Sequence, residues 1–231
     1  MKVDIGIIGA MEVEVNSLAA SLTDSVSERV GMIDFYTGML EGKRVAIARC
    51  GVGKVFAAMC AEAMILKYSP DLIINTGVGG ALGKGISTTD VVVADKLCQH
   101  DMDTSPLGDP KGLISGINKI YFEADTRAVE ILRGAASELS LNAFVGTIAS
   151  GDKFVCASSD KAAIVSEFSA ICCEMEGASI AHVAYCNSTP FAVVRAISDS
   201  ADGEATMDYP TFLPIAAKNS TALTLALVKN Y

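Results

Sequence analysis

The sequence predicts an α/β fold in which helices cover a central sheet. Short β-branched runs alternate along the chain with longer stretches that are rich in helix-forming residues. The β-branched runs are apolar on both faces, which is typical of strands buried between layers of helices. A further pair of strands is predicted in YTGMLEGKRV, where Glu41 and Gly42 supply the turn of a hairpin.

The other elements follow in chain order. The predicted strands cover residues 3–8, 44–50, 71–76, 90–95, 144–150 and 191–198. The predicted helices cover residues 54–68, 124–139 and 176–186. A polar loop runs from His100 to Gly116, and because loops of this length are usually functional or mobile, we expect a lid or a subunit contact there. No linker or repeat divides the chain, which predicts one domain over residues 1–231.

Composition excludes several classes of partner. The net charge is −9, the isoelectric point is near 4.7 and there is no basic run, which argues against nucleic acid or an anionic membrane surface. Seven scattered cysteines without a Cys-x-x-Cys pair are typical of reduced thiols in the cytosol. The acidic charge leaves a small neutral or cationic ligand as the partner. Because we see neither a cleavable leader nor an apolar run near the ~20 residues of a membrane span, we expect a soluble cytoplasmic protein.

Glycine-rich segments follow the first and third predicted strands, GIIGAM and GVGGALGKG. Neither completes a nucleotide-binding motif. The first leads into Glu12 and Glu14, whose charges suit a helix N-terminus and would repel a phosphate there. Glu12 is typical of a solvated first-turn residue, whereas Glu14 lies among apolar residues and is either such a residue or a functional one.

The last predicted strand ends in Arg195, Ser198 and Asp199, at the sheet edge where ligands collect in open α/β folds. Strand alternation puts Arg195 and Asp199 on one face and Ser198 on the other. The pair is either a plain salt bridge or part of a site. Burial of Asp199 would favour its protonated form, as a general acid requires.

Glu174 and Glu176 occupy a stretch, CCEMEGASIAH, that is otherwise suited to burial. If a strand ends and a helix begins near Glu176, the Met175–Glu176 pair faces the same rim as Glu14 and Asp199, and Arg195 lies nearby. Phe154 and Met175 would then form apolar walls. The alternative is that the two glutamates only cap the helix, which we expect to hold for one of them.

Metal and nucleophile chemistry have weak support. His100, Asp101, Asp103 and His182 are the candidate ligands, but they show no repeated spacing and His182 has no evident partner, so we predict no metal. Neither a Ser-His-Asp set nor a reactive cysteine has a signature in the sequence.

Six stretches carry a family resemblance in order along nearly the whole chain: IGIIGAMEVEV, GVGKVFAA, IINTGVGGAL, SGDKF, EMEGASIAHV and VVRAISDSAD. With these the chain resembles the bacterial 5'-methylthioadenosine/S-adenosylhomocysteine nucleosidases of the nucleoside phosphorylase superfamily. The resemblance implies a three-layer α/β/α domain with a twisted mixed sheet, a homodimer, and hydrolysis of the adenine N-ribosyl bond without a cofactor. It places the activity in methionine salvage and S-adenosylmethionine recycling.

The resemblance also implies residue roles. Glu14 would deprotonate the attacking water, and Asp199 would protonate adenine N7. The sugar and base would be held by further residues with distinct tasks: Glu176 and Met175 at the ribose, Phe154 stacking on adenine, the Val155 backbone at its edge, Ser198 placing Asp199, Arg195 near Glu14, Gly79 and Gly80 admitting the nucleoside, and Met11, Val52 and Tyr209 lining the site.

Two departures from the family pattern bear on the substrate. The family commonly has Ser-Ala-Gly-Gly where Val78 and Gly79 precede Gly80 here, and the loop offers Leu107 where relatives often have an aromatic residue. These departures do not change the reaction class that the resemblance implies. They leave the 5'-group preference and the catalytic rate open. Three alternatives to this function remain: a purine nucleoside phosphorylase, an aminodeoxyfutalosine nucleosidase and a non-catalytic nucleoside-binding protein.

Overall fold

The computed structural model describes residues 2–199 and 205–231, with side chains from residue 210 onward in the second range. The strands are β1 (Ile5–Gly9), β2 (Thr23–Val30), β3 (Ile33–Leu40), β4 (Lys43–Arg49), β5 (Leu72–Ala81), β6 (Val91–Gln99), β7 (Phe122–Glu123), β8 (Ala143–Ser150), β9 (Cys172–Glu174) and β10 (Phe191–Asp199). The helices are α1 (Glu12–Ala20), α2 (Lys54–Tyr68), α3 (Thr126–Glu138), α4 (Ser158–Phe168), α5 (Gly177–Cys186) and α6 (Ala205–Asn230).

The strands form one mixed sheet in the order β10-β6-β8-β9-β5-β1-β4-β3-β2. Because β10 pairs with β5 as well as with β6, five of these strands close into a ring, and the remaining ones extend from β5 as an open wing. Helices α2 and α5 pack on one face, and α1, α3 and α6 pack on the other. The predicted α/β class with a mixed sheet and helices on both faces is therefore confirmed.

The predicted elements all exist, with shifted ends. Helix α2 has the predicted bounds, and the hairpin turns at Glu41 and Gly42, whose φ angles of +48° and +79° suit the mirror-image turns that hairpins prefer. Strand β5 continues through the glycines that the sequence placed in a loop, and it ends at Ala81. Helix α5 starts at Gly177, directly after the short strand β9.

Four elements were not predicted: β2, β7, α4 and α6. By length and hydropathy alone, Pro210–Asn230 of α6 could cross a membrane, so the prediction that no apolar run approaches that length is wrong. In the fold, α6 lies along β10 and β5, and its residues Leu223, Leu227 and Val228 are buried in the core. The apolar face of α6 is thus a packing face of the sheet.

Buried hydroxyl groups fix α6 on β5. Ser220 Oγ lies 2.6 Å from Thr76 Oγ1 and accepts a hydrogen bond from the Gly77 backbone N–H at 3.0 Å. Thr224 Oγ1 donates to Thr76 Oγ1 at 2.8 Å. Each of these groups is shielded from water, so each needs its partner.

We expect Ser220→Ala to lower the free energy of unfolding by about 1–3 kcal/mol, because the Gly77 N–H would stay buried without an acceptor. Urea unfolding measures the change. Ser166→Ala on the exposed side of α4 is the matched control and should change stability little. Equal effects of the two substitutions would contradict the anchoring role.

Candidate active site

A cleft opens at the carboxyl ends of β1, β5 and β10, beside the junction of β9 with α5. Small molecules bind at this edge of open α/β sheets. The predicted site residues that line it are Met11, Glu14, Val52, Gly79, Gly80, Phe154, Val155, Met175, Glu176, Ser198 and Asp199. Arg195 is buried nearby, and the side chain of Tyr209 lies outside the described residues.

Glu14 is held by the backbone on two sides. It lies in the first turn of α1 and is 4% exposed. Its Oε2 atom accepts hydrogen bonds from the N–H groups of Ala10 at 2.7 Å and Met11 at 2.9 Å, and its Oε1 atom accepts one from Val78 at 3.2 Å. Burial raises the pKa of Glu14, against the opposing effects of Arg195 and these three N–H groups.

Arg195 lies beneath the cleft and is 1% exposed. Its Nη2 atom donates to Glu174 and Asn75 and lies 3.9 Å from a carboxylate oxygen of Glu176. The sequence left open a salt bridge to Asp199, but the guanidinium pairs with Glu174 instead. Burial acts to lower the pKa of Arg195, yet the surrounding carboxylates raise it, so the guanidinium stays charged.

Glu174 caps α5. Its Oε2 atom accepts hydrogen bonds from the N–H groups of Glu176 at 3.0 Å and Gly177 at 2.7 Å, and Ser150 donates to Oε1. Although burial acts to raise it, the pKa of Glu174 is held below its usual range by Arg195 and Ser150. This carboxylate is saturated with partners, in keeping with the structural role expected for one of the two glutamates.

Glu176 points into the cleft and meets the N-terminus of α2. Its Oε1 atom accepts a hydrogen bond from the Gly53 N–H at 2.8 Å. Burial and the neighbouring Glu174 raise the pKa of Glu176 to about 7, against the attraction of Arg195. Asp152 stabilises the same helix end, because it accepts a hydrogen bond from the Lys54 N–H at 2.8 Å.

Asp199 ends β10 and is 3% exposed. Ser198 Oγ donates to Asp199 Oδ1 at 3.1 Å, and Lys161 Nζ lies 3.9 Å from Oδ2. The register between β10 and β5 shifts between Ile197 and Asp199. This irregularity brings both Ser198 and Asp199 to the cleft. The prediction that Ser198 faces away from the side of Asp199 is therefore wrong.

Glycines on β5 make room for these carboxylates. A Cβ atom on Gly77 would lie 2.6 Å from Glu14 Oε1, and one on Gly80 would lie 2.8 Å from Asp199 Oδ2. A Cβ on Gly79 would lie 2.7 Å from the Cys172 sulfur. A side chain at Gly77 or Gly80 would displace a carboxylate that faces the cleft, and one at Gly79 would displace the Cys172 sulfur.

The cleft walls are partly apolar. Phe154 is 44% exposed and Val52 is 50% exposed at the mouth, whereas Val155 is buried. An exposed aromatic ring beside buried polar groups suits stacking on a planar heterocycle. Lys153 also lines the cleft, and its ammonium group pairs with Asp160 at 2.5 Å.

Some lining residues were missed from the sequence. Ala10 and Lys153 lie in stretches that carry the resemblance but were given no role, and Cys173 lies outside those stretches. Burial raises the pKa of Cys173 to about 12, so this thiol stays neutral. His182 does have a partner, since its Nδ1 lies 3.3 Å from Gln99 Nε2 and its ring stacks on Phe122. Within the described residues, no three His, Cys, Asp or Glu side chains come together as metal ligands do.

Known proteins resemble the chain over its full length. The 5'-methylthioadenosine/S-adenosylhomocysteine nucleosidase of Shewanella loihica is 36% identical over 228 residues, which are 98% of this chain and 99% of the relative. The nucleosidase of that name from Neisseria meningitidis, solved in complex with methylthio-immucillin-A, gives a TM-score of 0.95 at 35% identity and 99% coverage of both chains. Futalosine hydrolase of Helicobacter pylori gives 0.93 at 34% identity, covering 99% of this chain and 98% of that one.

A family model described as the phosphorylase superfamily matches residues 4–229. That range includes every strand and nearly all of the last helix. The chain therefore belongs to the phosphorylase superfamily.

Proposed function

We propose that the chain hydrolyses the bond between adenine and ribose in 5'-methylthioadenosine and S-adenosylhomocysteine, and also in 5'-deoxyadenosine. The products are adenine and the 5-substituted ribose. The observation that carries the proposal is Glu14, a buried carboxylate held by three backbone N–H groups at the turn after β1. A carboxylate in this place suits a water nucleophile and disfavours an anionic one. The relatives named as nucleosidases, similar over nearly the full chain, support the same reaction.

Glu14 is the base in this proposal. Its pKa is raised by burial, which strengthens it as a proton acceptor. The backbone N–H groups fix the carboxylate, so that an attacking water can be oriented toward the sugar carbon. As the water adds to C1', its proton passes to Glu14.

Glu176 binds the sugar. Its ionised form would accept hydrogen bonds from the ribose hydroxyls and stabilise the positive charge that develops on the sugar as the bond to adenine breaks. Met175, Met11 and Val52 supply apolar contacts beside it. Arg195 balances the negative charge beneath the cleft.

Asp199 is the acid. Departure of adenine is easier when N7 takes a proton, and Asp199, placed by Ser198 at 3.1 Å, supplies it. Phe154 stacks on the base, and the backbone of Val155 binds its edge. Gly79 and Gly80 let the nucleoside approach β5. No metal or organic cofactor takes part in these steps.

A phosphorolytic reaction would need free cationic donors for phosphate. Among the described residues that line the cleft, Lys153 is the one cation, and it pairs with Asp160. Arg195 is bound to Glu174 beneath the cleft. The charge distribution thus supports hydrolysis rather than phosphorolysis. A non-catalytic binding protein would not need Glu14 and Asp199 together.

An aminodeoxyfutalosine nucleosidase is the second candidate. The futalosine hydrolase of Helicobacter pylori resembles the chain about as well as the methylthioadenosine enzymes do. The two activities share the reacting bond and differ in the 5'-group. Val78 and the exposed Leu107 are the departures that bear on that group.

We further propose that residues 1–231 act as one domain, that two copies form a homodimer, and that the enzyme works in the cytoplasm without nucleic acid or membrane partners. Exposed apolar side chains on and before α2 support the dimer: Val52, Val55, Phe56, Met59 and Leu66. Such a patch is typical of a protein interface.

The proposal predicts adenine release from 5'-methylthioadenosine and S-adenosylhomocysteine at rates that do not depend on phosphate. Asp199→Asn should lower kcat by roughly 10²–10⁴-fold, since it removes the general acid. Asp24→Asn, on the exposed strand β2, is the matched control and should keep the wild-type rate. Release that requires phosphate would favour a phosphorylase, and turnover of aminodeoxyfutalosine alone would favour the second candidate.

Glu14→Gln should likewise lower kcat, by roughly 10²–10⁴-fold, because the amide cannot take the proton of the attacking water. The chain offers a near neighbour as control in Glu12, which lies on the outside of the same helix turn and pairs with Arg49. Glu12→Gln should leave the rate of adenine release near that of the wild type. A Glu14→Gln variant with wild-type kcat would exclude Glu14 as the base.

The pKa of Glu176, about 7 in the fold against an ordinary 4.5, predicts a pH-dependent stability difference. The protonated carboxyl favours the folded state at low pH, and this advantage is lost as the pH rises from about 4.5 through about 7. Glu176→Gln does not titrate, so its Tm should rise relative to that of the wild type between pH 4.5 and pH 8. Glu138→Gln, at the exposed end of α3, should show a constant difference, and a constant difference for Glu176→Gln would contradict the shift.

A further inference from the structure

Helix α4 carries a lysine at a core-facing position. Its buried residues are Lys161, Ile164 and Phe168, which recur at the spacing of one helical face. The other positions of the helix are exposed or partly exposed. Ile164 and Phe168 pack into an apolar cluster with Val155, whereas Lys161 brings an ammonium group to the same face.

Burial of this ammonium group is unfavourable on two counts. Lys161 is 4% exposed, so its charge has lost most of its hydration. It also lies near the N-terminus of α4, where the helix dipole disfavours cations. A buried lysine in such a place needs an anionic neighbour to stay charged.

The anionic neighbour is the carboxylate assigned above as the acid. Lys161 Nζ lies 3.9 Å from Asp199 Oδ2, and the two side chains are 5% and 4% exposed. The Cys173 thiol lies in the same group: burial and the Asp199 carboxylate raise the pKa of Cys173, whereas Lys161 lowers it. We propose that Lys161 is a positioning residue for Asp199, and that its ammonium group stabilises the Asp199 anion formed when the proton moves to the leaving base.

The proposal rests on the proposed function and deepens it. During the reaction the C1'–N9 bond breaks, its electron pair goes to adenine, and the proton of Asp199 moves to N7. The carboxylate left behind lies against Lys161, while the proton of the attacking water goes to Glu14. Exchange with solvent returns one proton to Asp199 and removes one from Glu14, so the cycle closes.

The charge on Lys161 also sets the pH range of the acid. An ammonium group within 4 Å favours the carboxylate form, so removing it should keep Asp199 protonated to higher pH. In the described part of the chain, the thiols of Cys172 and Cys173 on β9 also lie close enough to interact with the charge of Asp199, and β5 presents Gly80 beside it. Burial raises the pKa of both thiols, so they stay neutral.

The test compares Lys161→Met, which removes the charge, with Lys161→Arg, which keeps it. In Lys161→Met, the alkaline limb of the pH profile of kcat/KM should move up by roughly one to three pH units, and kcat at neutral pH should fall. Lys161→Arg should keep the wild-type limb. Lys84→Met makes the same substitution at an exposed lysine and should also keep it. If the wild type is active and the alkaline limb of the kcat/KM profile does not move in Lys161→Met, the proposal is overturned.

A double-mutant cycle separates this inference from the proposed function. Thermal unfolding of wild type, Lys161→Met, Asp199→Asn and the double variant, without any nucleoside, should show that the two substitutions are not additive. If the losses of thermal stability are additive, Lys161 and Asp199 do not form an ion pair, and the proposal is overturned even if the enzyme releases adenine. If the cycle shows coupling but the wild type releases no adenine, the proposed function fails and the pairing stands.

Discussion

The buried guanidinium of Arg195 is the interaction on which the site depends. Three glutamates, Glu14, Glu174 and Glu176, approach one another in a region with little water, and without a cation their repulsion would oppose folding. Arg195 pairs directly with Glu174 and lies 3.9 Å from Glu176. The result is a division of tasks: Glu174 stays ionised and structural, while Glu14 and Glu176 keep raised pKa values that suit chemistry.

Backbone groups do the rest of the positioning. Glu14 is fixed by N–H groups from the turn after β1 and from β5, and Glu176 is fixed by the N-terminus of α2. These elements lie side by side because β1 pairs in parallel with β5 on one side and with β4, the strand that precedes α2, on the other. The glycines of β5 complete the arrangement, since a Cβ on Gly77 or Gly80 would collide with a carboxylate. The sheet thus dictates where each charge can lie.

Many of the secondary-structure elements could be predicted from the sequence because they depend on the local pattern of residues. The hairpin at Glu41 and Gly42 and the whole of α2 follow from turn chemistry and helix formers. Strand β2 was missed because nearly all its residues are exposed and polar, and α6 because Pro210 and Pro214 lie inside it. The irregularity before Asp199 depends on pairing with β5, which no local pattern reports. Lys161 did leave a signal, the spacing 161, 164, 168, but α4 was not recognised as a helix.

Val78 shows how a departure from the family pattern can spare the chemistry. The resemblance puts a serine hydroxyl near this point of the sequence, and valine removes it. The hydrogen bond from residue 78 to Glu14 does not depend on the side chain, however, because the donor is the Val78 backbone N–H, 3.2 Å from Glu14 Oε1. Any residue other than proline supplies that donor. The substitution therefore removes the hydroxyl group that the resemblance implies at this point, and it leaves the backbone hydrogen bond to the Glu14 carboxylate intact.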